Sequence, residues 1–112
     1  MTPPTYVRGD VVGGPDLFTE HEFRPYVLLS DDSHPFADEE GLFVAVTTTP
    51  RPAAISLRST DFEVGGLPLD SYVNPWTIVS IRFADLHGRE GHLDDRTVAS
   101  IARASASYLG VS

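Results

Sequence analysis

Short apolar runs separated by turn-forming residues make up most of this chain. Residues 6–12, 25–30 and 42–48 are three such runs, and each is typical of a buried β-strand. Residues 54–57 read Ala-Ile-Ser-Leu and alternate in the manner of a half-buried strand. Residues 71–81 predict one or two further strands, with a proline inside the run that marks a bend or an edge.

Glycine and proline divide these runs. Residues 13–16 read Gly-Gly-Pro-Asp and are expected to break the first strand. Residues 31–35 end the second run, Pro50 and Pro52 end the third, and residues 65–68 form another turn. Several short strands at this spacing favour a small barrel over an α/β fold.

The C-terminal segment has the clearest helical pattern. Asp94 is suited to cap the start of the helix, and Gly110 is well placed to end it. The i, i+3, i+4 rule predicts one face that packs on the barrel, made of Val98, Ile101, Ala102, Ser105, Tyr108 and Leu109.

Composition limits the domain organisation. The chain has 112 residues, 41% of them hydrophobic, so we expect a single domain over residues 1–112. It contains no cysteine, which excludes disulfides and cysteine nucleophiles. No window approaches the roughly 20 apolar residues of a membrane span, and the first residues lack the pattern of a signal peptide. These features predict a cytoplasmic protein that does not contact a membrane.

The charge balance is strongly acidic. Sixteen acidic residues face eight basic ones, all of them arginine, and the formal net charge is −8. Such a balance repels a polyanion such as RNA at long range. High salt offsets the repulsion, because it shortens the screening length to about 3 Å at 1 M. Two interpretations stay open: a surface adapted to a salt-loving (halophilic) cytoplasm, or an ordinary acidic domain with a basic partner.

Arg24 and Thr47 are the side chains best suited to chemistry, because each stands at the end of an apolar run where a rigid strand holds it. A guanidinium stays charged at any working pH and matches phosphate oxygens with a planar fork of donors. Such a group stabilises charge that builds up on a phosphorus centre. The alternative for Arg24 is an ion pair with Glu20 or Glu22, and the alternative for Thr47 is a plain strand residue.

Other residues also have two interpretations. Trp76 is either a surface aromatic on which an RNA base stacks or a core residue. Arg51, Arg58 and Arg82 are either phosphate contacts or surface charges. His21 lies close to the candidate arginine and is suited to act as an acid or a base. The four histidines lack paired metal-ligand spacing and fall in predicted loops or turns, so no metal site is expected.

Six motifs follow one another along the chain: Gly9-Asp10-Val11, Arg24-Pro25 before an apolar strand, a strand ending in Thr47, Gly66-Leu67-Pro68-Leu69-Asp70-Ser71, Gly91-His92-Leu93 and Leu109-Gly110. Each motif alone is weak. Their order and spacing over nearly the whole chain resemble the MazF/PemK family, the small endoribonuclease toxins of toxin–antitoxin pairs.

The resemblance implies a mainly β, SH3-like barrel with a C-terminal helix, assembled as a symmetric homodimer. It implies that Arg24 and Thr47 are catalytic, and that single-stranded RNA is cleaved without a metal or other cofactor through attack of the ribose 2′-hydroxyl on the adjacent phosphate. The partners it implies are single-stranded RNA and a cognate antitoxin, with DNA reached only through the antitoxin. Candidate RNA contacts are His21, Thr48, Arg51, Asn74, Trp76 and Thr77.

Two positions depart from the family pattern. Many members carry an acidic residue used for proton transfer where this chain aligns Trp76, and an arginine where it has Val79. The departures favour a rival hypothesis, a catalytically silent barrel that binds a partner peptide or regulates transcription with it. Arg24 and Thr47 favour the enzyme.

Overall fold

The computed structural model describes residues 5–111, which form one curled antiparallel sheet and a C-terminal helix. In this part of the chain the strands are β1 (Asp10–Pro15), β2 (Phe23–Leu28), β3 (Glu40–Thr47), β4 (Ile55–Leu57), β5 (Phe62–Gly65), β6 (Ser71–Arg82) and β7 (Gly88–Leu93), and the helix is α1 (Asp95–Ser107). Their order across the sheet is β4-β6-β3-β2-β1-β7-β5. The prediction of a mainly β, barrel-like fold with a C-terminal helix is confirmed.

The central strands β1, β2 and β3 are buried on both faces, and their alternate side chains enter two separate clusters. This double burial explains why their sequences read as nearly continuous apolar runs. The first cluster includes residues of α1 and consists of Val11, Val27, Val44, Val46, Leu57, Val73, Leu93, Val98 and Ile101. The second is rich in aromatic rings and consists of Tyr6, Val12, Tyr26, Leu28, Phe43, Ala45, Ile81 and Phe83.

The first strand extends through the residues expected to break it. β1 includes Gly13, Gly14 and Pro15, and Gly14 pairs with Arg24 of β2. The prediction that the strand breaks at residues 13–16 is wrong for residues 13–15, because the glycine serves close packing: a Cβ atom at Gly14 would lie 3.3 Å from the Tyr26 ring. The extra length of β1 carries the chain to the edge of the cavity described below.

Strands β5 and β7 were not expected from the apolar pattern. β7 reads Gly-Arg-Glu-Gly-His-Leu, with a single large apolar residue at its end. It forms because it pairs with β1 on one side and with β5 on the other. The run at residues 71–81 is one strand, β6, whose pairing with β3 shifts register between Phe43 and Ala45. The bend expected near Pro75 lies within this irregularity.

Helix α1 starts where the sequence predicts. Asp94 caps it, with a side-chain oxygen that accepts the backbone N–H of Thr97 at 2.7 Å. Val98, Ile101 and Ser105 are buried, but Tyr108 and Leu109 are exposed, so the predicted apolar face is too long by its last two members. They fall outside it because the helix ends at Ser107. No helix within residues 5–111 is long and apolar enough to cross a bilayer.

Buried Asp10 ties the start of β1 to β7. Its side chain is 1% exposed, with one oxygen 2.8 Å from Nδ1 of His92 and the other 3.1 Å from Nε of Arg89. The second oxygen also accepts the backbone N–H of Val7 at 2.8 Å. His92 therefore lies in a strand beside a carboxylate, and its expected place in a loop is wrong. The Gly9-Asp10 motif is structural, since a buried carboxylate needs such donors.

A substitution at Gly65 can test how closely β5 approaches β7. Its φ is +69°, and a Cβ atom there would overlap the backbone oxygen of Glu90 and lie 2.9 Å from the Cα of Gly91. We expect Gly65→Ala to lower the free energy of unfolding by about 1–3 kcal/mol. Gly66→Ala is the matched control, because no atom lies within 4 Å of its Cβ position. Urea unfolding measures both variants, and equal effects would contradict the proposed close approach.

Candidate active site

Three neighbouring strands bring the candidate site together. β6, β3 and β2 lie side by side, and β2 pairs with β3 so that Tyr26 is opposite Ala45. The pairing ends at Tyr26 and Ala45, and Arg24, near the start of β2, and Thr47, at the end of β3, each lie two residues beyond that pair. Residues two apart share a face, so both stand on the face that carries Tyr26 and Ala45. Asn74 of β6 joins this row because it pairs with Ala45.

The site is an open cavity of about 540 Å³. Its walls are the β1–β2 loop, the start of β2, the end of β3 with the following loop, and the first half of β6. All eight residues selected from the sequence line it, although they come from three separate segments: His21, Arg24, Thr47, Thr48, Arg51, Asn74, Trp76 and Thr77. The structure thus places them together, and their individual roles stay predictions.

Arg24 is held by an ion pair, but not with the residues considered from the sequence. Its Nε lies 3.1 Å from Oδ1 of Asp16, and its side chain is 14% exposed. The alternative partners Glu20 and Glu22 are therefore wrong. The Nε–H is not aligned for a hydrogen bond, so the contact is an ion pair. The ring of Phe18 lies 5.4 Å from the guanidinium carbon, within cation–π range.

Asp16 organises the β1–β2 loop, a role that sequence analysis missed. Oδ1 accepts the backbone N–H groups of Phe18 at 2.9 Å and Thr19 at 3.0 Å, and Oδ2 accepts the Thr19 hydroxyl. An aspartate followed three residues later by a threonine is typical of such side-chain turns, so the signal was present. Other lining residues outside the sequence-based selection are Phe18, Thr19, Phe23 and Ser71.

The charge of Asp16 follows from this set of donors. Burial by itself would raise the pKa of Asp16, but the hydrogen bonds from the Thr19 side chain and from the backbone of Phe18 and Thr19, together with Arg24, outweigh burial and lower the pKa to about 2. The carboxylate is therefore ionised at neutral pH. It is a poor proton acceptor there, which leaves it an electrostatic and structural role.

Tyr26 holds the β1–β2 loop in place through two hydrogen bonds of its hydroxyl group. Its hydroxyl donates to the backbone oxygen of Pro15 at 2.6 Å and accepts the backbone N–H of Leu17 at 3.2 Å. Burial raises the pKa of this phenol, so it stays neutral and keeps both contacts. The loop that carries Asp16 and Phe18 is thus fastened to the second core cluster.

Thr47 ends β3 at the cavity wall. Its hydroxyl oxygen accepts the backbone N–H of Thr49 at 3.1 Å, which turns the chain out of the strand. Within residues 5–111 its hydroxyl proton is given to no protein acceptor, so it is available to a ligand oxygen. Thr48 is exposed beside it and also lines the cavity.

Asn74 and Thr77 lie in the irregular part of β6 and differ in what they offer. The Thr77 hydroxyl accepts the backbone N–H of Ala45 at 2.8 Å and donates to the backbone oxygen of Asn74 at 2.6 Å, so it is occupied in closing the sheet. The Asn74 side chain is different: its Oδ1 is buried and has no hydrogen-bond partner among the described residues. The amide oxygen of Asn74 is therefore one of the unmet polar groups of the cavity, as is Nε of Arg24.

Solved structures share this architecture. An endoribonuclease from a mycobacterial species, in complex with its cognate antitoxin, is 25% identical with a TM-score of 0.73, over 100% of this chain and 98% of its own. The Mycobacterium tuberculosis toxin MazF-mt6 is 19% identical with a TM-score of 0.71, over 92% and 98%. A chain of the MazE-MazF structure from Deinococcus radiodurans is 16% identical with a TM-score of 0.75, over 97% and 100%. The chain is MazF-like.

The likeness is one of structure more than of sequence. No family model matches the sequence, and the comparison with curated proteins finds no match. For the MazF-like chain the assignment of individual site residues therefore rests on its own geometry. That geometry agrees with the order of motifs found in the sequence.

The two departures from the family pattern have different consequences in the MazF-like chain. Trp76 lines the cavity, is partly exposed, and meets Tyr108 edge to face at 6.0 Å, so it belongs to the cavity rim and not to either core cluster. Val79 pairs with Phe43 and packs against the second core cluster. It does not line the cavity, where Arg51 is the second arginine.

The cavity is less acidic than the molecule around it. Its lining contains two arginines against one aspartate, whereas the whole chain carries −8. Arg58 and Arg82 lie outside, where each is exposed and pairs with an aspartate three residues on. Within residues 5–111 no group of three or more His, Cys, Asp or Glu side chains is arranged to hold a metal ion. Independence from metal stays a prediction.

Asp16 should make stability depend on acid pH. Its pKa is about 2 in the folded protein against an ordinary 3.8, so its stabilising contribution is complete above about pH 4 and is lost as the pH falls through about 2. Asp16→Asn cannot titrate. The difference in unfolding free energy between wild type and this variant should therefore be constant near neutrality and shrink between about pH 4 and 2. Urea unfolding across this range measures it, and a difference independent of pH would contradict the assignment.

Proposed function

We propose that this MazF-like protein is the toxin of a toxin–antitoxin pair and a metal-independent endoribonuclease that cleaves single-stranded RNA. The observation that carries the proposal is the convergence of Arg24 and Thr47, from the adjacent strands β2 and β3, in one cavity. Similarity to a mycobacterial endoribonuclease over the whole chain supports it. The cavity is open and thus accessible to a polymer passing through it.

The reaction uses a group that the substrate itself provides. The ribose 2′-oxygen attacks the adjacent phosphorus, the new O2′–P bond forms as the P–O5′ bond breaks, and the products end in a cyclic phosphate and a 5′-hydroxyl. Arg24 stabilises the charge on the phosphate oxygens, and the Thr47 hydroxyl donates to one of them. DNA lacks the 2′-hydroxyl and is not cleaved.

In this proposal His21 carries out proton transfer. The 2′-hydroxyl proton must leave and the 5′-oxygen must gain one, which requires a group that titrates near neutrality. Asp16 is unsuitable because its pKa is about 2. His21 lines the cavity, is exposed, and has its backbone N–H fixed on the Thr19 hydroxyl at 3.2 Å. An imidazole can act both as a general base and as a general acid.

Recognition of RNA is assigned to the rest of the lining. Arg51 and Thr48 follow β3 and are exposed, where they contact flanking phosphates. Trp76 offers a ring for base stacking, worth about 1–3 kcal/mol per base. The unpaired amide of Asn74 accepts or donates a hydrogen bond to RNA. Thr77 contributes shape only, because its hydroxyl is already engaged.

The partners proposed are those of a toxin. A cognate antitoxin binds across the β1–β2 loop and Trp76 and occludes Arg24, in keeping with the antitoxin-bound state of the mycobacterial structure. Carboxylates of the antitoxin would compete with phosphate for the guanidinium. The proposal includes a homodimer in the cytoplasm, contact with DNA only through the antitoxin, and activity that tolerates high salt because of the acidic surface.

The rival function is that of a catalytically silent barrel that binds a partner. It rests on Trp76, which stands where the family pattern has an acidic residue. The cavity geometry favours the enzyme, since Arg24 is partly buried beside a carboxylate and a nearby amide oxygen, that of Asn74, has no partner among the described residues. A purely peptide-binding surface gives no reason for that combination.

Arg24→Ala should reduce RNA cleavage by at least about 10²-fold, because one charge-stabilising donor contributes that much to the rate. The assay is cleavage of an unstructured RNA with a metal chelator present, at low and at molar salt. Arg82→Ala is the matched control, since Arg82 also pairs with an aspartate but lies outside the cavity. Both variants should unfold cooperatively. Intact RNA with folded wild-type protein in both salts would refute the enzyme and favour the binding barrel.

Asn74→Leu should change stability and RNA affinity in opposite directions. Leucine nearly matches the shape of asparagine and removes a buried oxygen that lacks a partner, so the melting temperature should rise. Binding of a 2′-O-methyl RNA, which is not cleaved, should weaken about tenfold if the amide bonds to a phosphate or base. Calorimetry and fluorescence anisotropy measure the two effects. Lower stability with unchanged RNA binding would show that the amide has a structural role instead.

A further inference from the structure

Arg24 and the β1–β2 loop form one structural unit. Asp16 carries the contacts that connect them, since its Oδ1 lies 3.1 Å from Nε of Arg24 and also accepts the backbone N–H groups of Phe18 and Thr19. Its side chain is 1% exposed. Phe18, placed by the same turn, lies over the guanidinium at 5.4 Å.

These contacts restrict the arginine from two directions. Asp16 meets the guanidinium at Nε, on the side that faces its own stem, and the ring of Phe18 covers one face. Neither contact needs the terminal Nη groups, which form the fork suited to two phosphate oxygens. An arginine held in this way does not have to lose rotamer freedom when the phosphate arrives.

We propose that Asp16 is a positioning residue that fixes the Arg24 guanidinium for the phosphate, and that Phe18 completes this clamp. The inference rests on the proposed function for its substrate and adds a residue that acts only through Arg24. Asp16 touches no substrate. Its negative charge opposes phosphate binding, so it is expected to favour the rate of the chemical step at the expense of affinity.

Two variants separate the effect of the Asp16 charge from the effect of the β1–β2 loop structure. Asp16→Asn removes the charge but keeps an oxygen that can accept the N–H groups of Phe18 and Thr19. Thr19→Val does the reverse: it keeps the charge and removes a hydroxyl that bonds Asp16 and accepts the backbone N–H of His21. A residue that merely folds the loop would make both variants behave alike.

The kinetic test compares kcat and KM. Asp16→Asn should lower kcat on single-stranded RNA on the order of 10–100-fold, the cost of a misplaced catalytic group. Its affinity for a 2′-O-methyl RNA should be unchanged or tighter. Thr19→Val, which keeps the charge of Asp16, should lose less kcat than Asp16→Asn does. Equal losses of kcat and of melting temperature in the two variants would overturn the proposal, as would a wild-type kcat in Asp16→Asn.

A second measurement does not depend on cleavage. In ¹⁵N-labelled protein the Nε–H signal of Arg24 is assigned by its absence from Arg24→Ala. It should exchange slowly with water in wild type and in Thr19→Val, because Nε is buried and held against the Asp16 carboxylate. In Asp16→Asn it should broaden or exchange quickly. If wild-type protein cuts no RNA, the proposed function is wrong, and this signal alone decides the clamp: its unchanged persistence in Asp16→Asn would overturn the inference.

Discussion

Antiparallel pairing of β2 with β3 is the constraint on which the candidate site depends. The register sets Tyr26 opposite Ala45. Arg24 and Thr47 each lie two residues beyond that pair in their own strands, and so stand on the same face. The register is itself fixed by burial, because both faces of these strands enter core clusters and a slip of one residue would exchange the two sets of side chains. The same strand register therefore determines both the packing of the core and the geometry of the site.

Electrostatics act on two scales in this molecule. The chain as a whole carries −8 and repels RNA at long range, whereas the cavity has two arginines and a single aspartate. Long-range repulsion is screened within about 10 Å at 0.1 M salt, while partly buried contacts are screened much less. In the proposed function, binding of a phosphate thus depends on the short-range geometry of Arg24, and the surface charge mainly sets the rate of encounter.

The cavity contains buried polar and charged groups, in contrast to the apolar clusters of the core. Within residues 5–111 Asn74 keeps a buried oxygen without a partner, and Arg24 and Asp16 place charges where solvent is scarce. Such groups lower stability unless they are matched, so their concentration at one cavity is typical of a functional site. Asp10 shows the contrast: it is just as buried, but all its partners belong to the protein.

The sequence alone determined the strand-rich body and the capped C-terminal helix, and it singled out Arg24 and Thr47, which the structure places in one cavity. It did so because both-face burial leaves continuous apolar runs, and because capping and strand-end positions are local properties. Tertiary structure alone decided the rest. The polar strand β7 exists only through its pairing with β1, and Gly14 is a strand residue only because Tyr26 packs against it. Likewise the partner of Arg24 is Asp16, eight positions away, and not the nearer Glu20 or Glu22, since a loop folded around its own hydrogen bonds decides which carboxylate reaches the guanidinium.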